Sequence, residues 1–164
     1  MMLDTDETRT CFADEIASDR ARHPNWRYSG RAELLVAHGR WFERGIPPAR
    51  RGGWYRGAKQ CYRNAFLSVE RTDQSRYVYV EGYCFSQSCF PHAWFVDRQQ
   101  PRLALNTTLN RDEPCTYFGV PLQFEYVSRA VYLRNAYGSV LDWYEERYPI
   151  YAGVDPPDSF LAEL

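Results

Sequence analysis

Three residues carry the chemistry this sequence offers: Cys61, His92 and Asn106. Cys61 opens the stretch "CYRNAFLSVER", in which Cys61, Ala65 and Val69 fall on one helical face. A thiol in the first turn of a helix meets free backbone N–H groups and the positive end of the macrodipole, which pull its pKa below the reference of about 8.5. His92 heads "HAWFVD", a strand pattern that follows Pro91; the proline biases the residues before it toward extended backbone. "RLALNTT" reads as the partner strand, joined through "RQQP". With the turn centred near Gln99, Val96 faces Arg102, Phe95 faces Leu103 and His92 faces Asn106. Opposed residues of an antiparallel pair share a face with Cβ atoms about 4.5–5.5 Å apart, so the Asn106 amide oxygen is expected to reach a ring nitrogen of His92. An imidazole oriented on one side and facing a thiol on the other is a device for nucleophilic acyl chemistry.

The remaining pattern says what must position these groups. Residues 1–10 read as a frayed tail, and Phe12, Ile16 and Ala17 recur at helical spacing. Ser29 is placed to cap a helix over "RAELLVAHGRWFERG", in which Leu34, Leu35, His38, Trp41 and Phe42 recur at three and four residues; Gly45, Pro47 and Pro48 stop it. "RYVYVEGYCF" alternates like a strand, and "TYFGVPLQFEYV" reads as another, with Pro121 suggesting an edge or a bulge. "SRAVYLRNAYG" reads as helix, "SVLDWYEERY" as a second helix begun by Ser139, and the C-terminal tail as irregular. Helices, then strands, then helices predict one α+β domain over residues 1–164, with helices packed on a small antiparallel sheet.

Bulk properties narrow the function classes. The net charge of −1 lacks the basic footprint of a nucleic-acid binder. No apolar run approaches the roughly 18 residues of a membrane span, and the acidic N-terminus is unlike a secretory signal. Five cysteines, an odd number, with no such signal, point to a reduced, cytoplasmic protein rather than a disulfide framework.

The ordered set "KQCYRNA", "YVEGY", "HAWFVD" and "NTT", within residues 59–108, resembles the transglutaminase-like branch of the papain-like cysteine enzymes. The resemblance implies a papain-like or transglutaminase-like fold, with Cys61 as nucleophile, His92 as general base and Asn106 as the third member. Asparagine stands where this branch usually has aspartate, as it does in papain-type enzymes. The expected reaction is thiol-dependent acyl chemistry on the amide or peptide bond of a peptide, a protein or a small molecule, as hydrolysis, deamidation or transfer, with no cofactor or metal. The Cys61 N–H, with Gln60 or Trp54, is a candidate oxyanion donor. Trp54 and Tyr55, in the loop ahead of the nucleophile, are candidates to line an acyl pocket. Arg56 and Arg63, in a basic cluster with Arg50, Arg51 and Lys59, are candidates to recognise an anionic substrate group.

Two other readings use the same residues. The aromatic and arginine-rich loop would serve equally as the contact surface of a non-catalytic binding module. Cys84, Cys89 and His92, completed by Cys115, have the right atoms for a structural zinc, at a spacing unlike the usual knuckles.

Overall fold

The computed structural model describes residues 5–49, 53–54, 56–109 and 114–164. Helices α1 (Thr5–Cys11), α2 (Ala13–Arg22) and α3 (Arg31–His38) lead into strand β1 (Arg40–Gly45). Helix α4 (Cys61–Glu70) is followed by β2 (Tyr77–Phe85), β3 (Cys89–Asp97), β4 (Leu103–Leu105) and β5 (Thr116–Leu122). Helix α5 (Phe124–Arg134), a 3-10 turn (Tyr144–Glu146) and the short helices α6 (Pro149–Ala152) and α7 (Pro157–Phe160) complete the chain.

The predicted small antiparallel sheet is overturned: the strands close into a five-stranded barrel in the order β1-β4-β3-β2-β5. The strand that closes it is β1, which pairs in parallel with β4 and antiparallel with β5. The sequence pattern assigns these residues to a helix running on from α3. Gly39 ends that helix instead, its backbone extended (φ −75°, ψ 162°) and its N–H bonded to Leu35 O at 2.6 Å. Phe42 then points into the barrel, so the aromatic pair Trp41–Phe42 fits either periodicity and barrel closure decides between them.

Other expectations also shift. Part of the presumed tail is α1, and the last stretch of the "TYFGVPLQFEYV" strand pattern is already α5. Pro121 sits inside a paired strand, opposite Val80. Gly30, not Ser29, occupies the N-cap of α3, and no side chain caps it. Ser139 Oγ does accept the Asp142 N–H at 3.2 Å, but only the 3-10 turn follows, because Ser139 and the Val140 N–H are drawn to Glu81.

Alternation along the strands separates two cores. Phe42, Val80, Cys84, Trp94, Val96, Ala104 and Tyr117 fill the barrel. Tyr77, Tyr79, Tyr83, Ala93, Phe95, Phe118, Val120 and Leu122 face outward under the helices. Both faces of β2 are therefore buried, and its residues from Tyr77 to Cys84 are enclosed without interruption.

Gly82 and Gly119 face one another across β2 and β5. A Cβ on Gly82 would stand 2.0 Å from Phe118 O, and one on Gly119 would meet the Trp94 ring at 2.5 Å. These glycines are required by close approach of backbone and ring. Gly82→Ala is expected to force the β2–β5 ladder apart and to lower stability by about 1–3 kcal/mol or more, the usual cost of overpacking. Urea denaturation checks this; a midpoint equal to that of the unchanged protein would refute it.

Candidate active site

Helix α4 places Cys61 at its first residue. Buried Asn64 fixes this end of the helix. Its Oδ1 accepts the Gly57 N–H at 3.1 Å, and its Nδ2 donates to Gly57 O at 2.8 Å and to Thr108 Oγ1 at 2.9 Å. The last bond ties the Cys61 helix to the segment that carries Asn106. Asn64 stands three residues after Cys61 in "CYRNA", and sequence reasoning gave it no role.

The half-buried Cys61 sulfur lies beside β3, where the Ala93 N–H reaches it. Burial pushes its pKa up, and the nearby Glu81 carboxylate adds to this. The backbone N–H groups of Ala93, Tyr62 and Cys61 itself oppose the rise without cancelling it. The expected low-pKa thiol is therefore absent from the resting state. Ala93 is the residue after His92, so the sulfur lies beside the segment that carries the imidazole.

His92 is buried, and its ring shares the barrel side of β3 with Phe90, Trp94 and Tyr117. Asn106 follows β4 and brings its Nδ2 within 2.9 Å of His92 Nε2. The sequence pairing of these two residues thus meets in space, although the register differs. Phe95 pairs with Leu105 rather than Leu103, a shift of two residues that keeps every side chain on its face.

The carboxamide is turned opposite to expectation. Asn106 Oδ1 accepts the N–H groups of Thr108 at 2.8 Å and Leu109 at 3.3 Å. Its Nδ2 donates to His92 Nε2 and to Tyr117 Oη, both at 2.9 Å. Nε2 thus accepts, and the neutral ring carries its proton on Nδ1. Burial lowers the His92 pKa to about 4, against a smaller upward pull from Asn106. Nδ1 has no hydrogen-bond partner among the described residues. No hydrogen bond joins Cys61 to His92.

The other candidates are dispersed. Trp54 is buried, donates Nε1–H to Pro48 O at 2.7 Å and packs on Tyr77 and Phe95, so its ring is part of the core. Gln60 precedes the sulfur, and its Oε1 accepts from Arg63 Nη1 at 3.1 Å. Arg56 is exposed in the segment before α4. Tyr55, Arg50 and Arg51 lie outside the described residues. Among the described residues no three His, Cys, Asp or Glu side chains gather to hold a metal. Cys84 and Cys89 fall on opposite sides of their paired strands, and Cys89 is exposed.

A buried polar network behind Cys61 escaped sequence reasoning. Glu81 is fully enclosed and accepts from Tyr79 Oη at 2.9 Å, Ser139 Oγ at 2.7 Å and the Val140 N–H at 2.7 Å. Burial raises its pKa, and Arg31 opposes the rise. The buried Arg31 guanidinium binds Gly82 O, Ser139 Oγ and the Asp142 carboxylate. Tyr62, next to Cys61, has its pKa pushed up to about 12 by burial and by Glu81. A glutamate in the middle of the otherwise apolar "YVYVEGYCF" was the available signal, since a buried carboxylate must be satisfied by partners.

Comparison with family models, with curated proteins and with solved structures finds no match for the chain. No described helix is long and apolar enough to cross a membrane.

Proposed function

We propose that the protein performs thiol-dependent acyl chemistry on an amide or peptide bond, with Cys61 as nucleophile and His92 as general base. One observation carries this reading. A cysteine at the first residue of a helix lies against the backbone N–H of the residue that follows a histidine, and an asparagine holds the ring of that histidine. The similarity of "KQCYRNA", "HAWFVD" and "NTT" to transglutaminase-like enzymes supports the same reading.

The raised thiol pKa and the lowered imidazole pKa make the resting pair uncharged. Sγ therefore gives its proton to His92 as it attacks the carbonyl carbon, rather than resting as a thiolate. The carbonyl π electrons pass to the oxygen, where N–H groups at the start of α4 stand ready as donors. Collapse of the adduct expels the amine, which takes the proton from His92, and water or a second amine then releases the acyl group. For His92 to accept on Nδ1, the ring nitrogen turned away from Asn106, its own proton must sit on Nε2. That state requires the Asn106 amide to present oxygen to the ring.

The present orientation of Asn106 favours the second reading, a binding module that keeps the constellation without turnover. Iodoacetamide labelling at pH 6.5, mapped by peptide mass spectrometry, separates the two. Under the enzymatic reading Cys61 reacts faster than the exposed Cys11 and Cys89, and His92→Gln abolishes the advantage. Equal, slow labelling of Cys61 and the exposed cysteines would leave the binding module.

A further inference from the structure

Beside the α4 N-terminus lies a cavity of about 280 Å³ lined by Lys59, Gln60, Tyr62, Arg63 and Tyr137. We propose that it binds an oxyanion, a carboxylate or a phosphate, carried by the molecule that Cys61 attacks; the inference rests on the reading of Cys61 as nucleophile.

Two cations frame the cavity, and neither has a carboxylate partner among the described residues. Arg63 is pre-positioned. Its Nη1 donates to Gln60 Oε1 at 3.1 Å, and its guanidinium stands 5.9 Å from the centre of the Tyr137 ring. A guanidinium has five N–H donors, and this bond uses one, so a fork remains for a planar or tetrahedral oxyanion. Lys59, on left-handed backbone (φ 57°) one residue before the N-cap, also lines the cavity. No side chain caps α4, so its first peptide N–H groups add partial positive charge on the same side.

Gln60 and Tyr62, the two neighbours of Cys61, line the cavity, which sets it beside the start of the nucleophile helix. The chain as a whole has a net charge of −1, so this concentration of unpaired positive charge is local. An anion held here contributes to substrate binding and orientation rather than to proton transfer.

The test measures binding first and position second. Glutarate and phosphate are titrated against the protein at ionic strength matched with chloride, and the melting temperature is followed. A saturable rise with either anion that disappears in Lys59→Ala/Arg63→Ala supports the inference, and the more effective anion names the source. No saturable rise, or one that the double variant retains, overturns it. Cys61 is then labelled with an anionic and a cationic methanethiosulfonate reagent, with Cys11 and Cys89 as internal references. The anionic-to-cationic rate ratio at Cys61 is expected to exceed theirs by about tenfold, as two like charges at close range imply. A ratio equal to the references places the anion site away from the thiol and overturns the inference. Loss of His92-dependent reactivity with neutral iodoacetamide is a separate result and bears only on the nucleophile.

Discussion

Asn106→Asp is expected to increase the reactivity of Cys61 and to raise the His92 pKa from its value of about 4. The reason lies in which end of the carboxamide faces the ring. The Thr108 and Leu109 N–H groups occupy Asn106 Oδ1, so turning the amide would set its amino group against two donors. Nδ2 is left to donate to His92 Nε2, which fixes the ring proton on Nδ1. An aspartate removes the conflict. One oxygen keeps the two backbone N–H groups, and the other accepts from Nε2–H and from the Tyr117 hydroxyl. The ring proton moves to Nε2, the lone pair on Nδ1 becomes free to take the thiol proton, and the imidazolium gains a counter-charge. In a Ser-His-Asp triad the opposite change, carboxylate to carboxamide, costs about 10⁴ in kcat, which is the upper bound on the gain here. The pH–rate profile of Cys61 alkylation and an NMR titration of His92 measure the two halves separately. A His92 pKa that rises while the Cys61 rate stays fixed would show that imidazole and thiol are uncoupled, and the binding-module reading would then stand.

The same residues show what the sequence reveals and what it hides. His92 and Asn106 were legible as partners because strand alternation has a period of two. A register error of two residues moves neither side chain off its face, and a diagonal neighbour stays within reach of an asparagine. The end of the amide that meets the ring was not legible, because two backbone N–H groups in an irregular segment decide it. Cys61 at the start of a helix was legible from the spacing of Ala65 and Val69, but its pKa depends on burial against β3 and on Glu81, both long-range facts. The barrel itself hid behind Arg40–Gly45. These six residues satisfy a helical stripe as well as a strand, and only their pairing with both β4 and β5 turns an open sheet into a closed one. The Asn64–Thr108 bond between the nucleophile helix and the Asn106 segment spans 44 residues, beyond any local pattern.

Acid is expected to destabilise the protein through His92. Its pKa lies near 4 in the fold, below its ordinary value of 6.5, because burial disfavours the imidazolium. Between these values the unfolded chain binds a proton that the native protein does not, so stability falls as pH drops through the interval. The contribution is complete above pH 6.5 and lost below pH 4, and its size is about 3 kcal/mol. Asp97, held below the usual carboxylate range by Arg76, and Glu33, held down by Arg20 and Ser29, lose stability in the same direction at lower pH. Glu81, whose pKa is raised, works the other way, since its charged form is the one that burial penalises. These groups are common to the parent and to His92→Gln, which keeps an acceptor for Asn106 Nδ2 and does not titrate. The difference in unfolding free energy between the two proteins therefore isolates the imidazole. From pH 7 to pH 4 the parent should lose about 3 kcal/mol more than the variant in urea titrations; parallel curves would place the His92 ring in a wetter site than its 2% exposure indicates. Asn106→Asp should shrink that excess, because a carboxylate at Nε2 brings the native pKa back toward the unfolded one. The stability measurement and the alkylation rate thus read the same change in His92 from two sides, one without reference to the thiol and one through it.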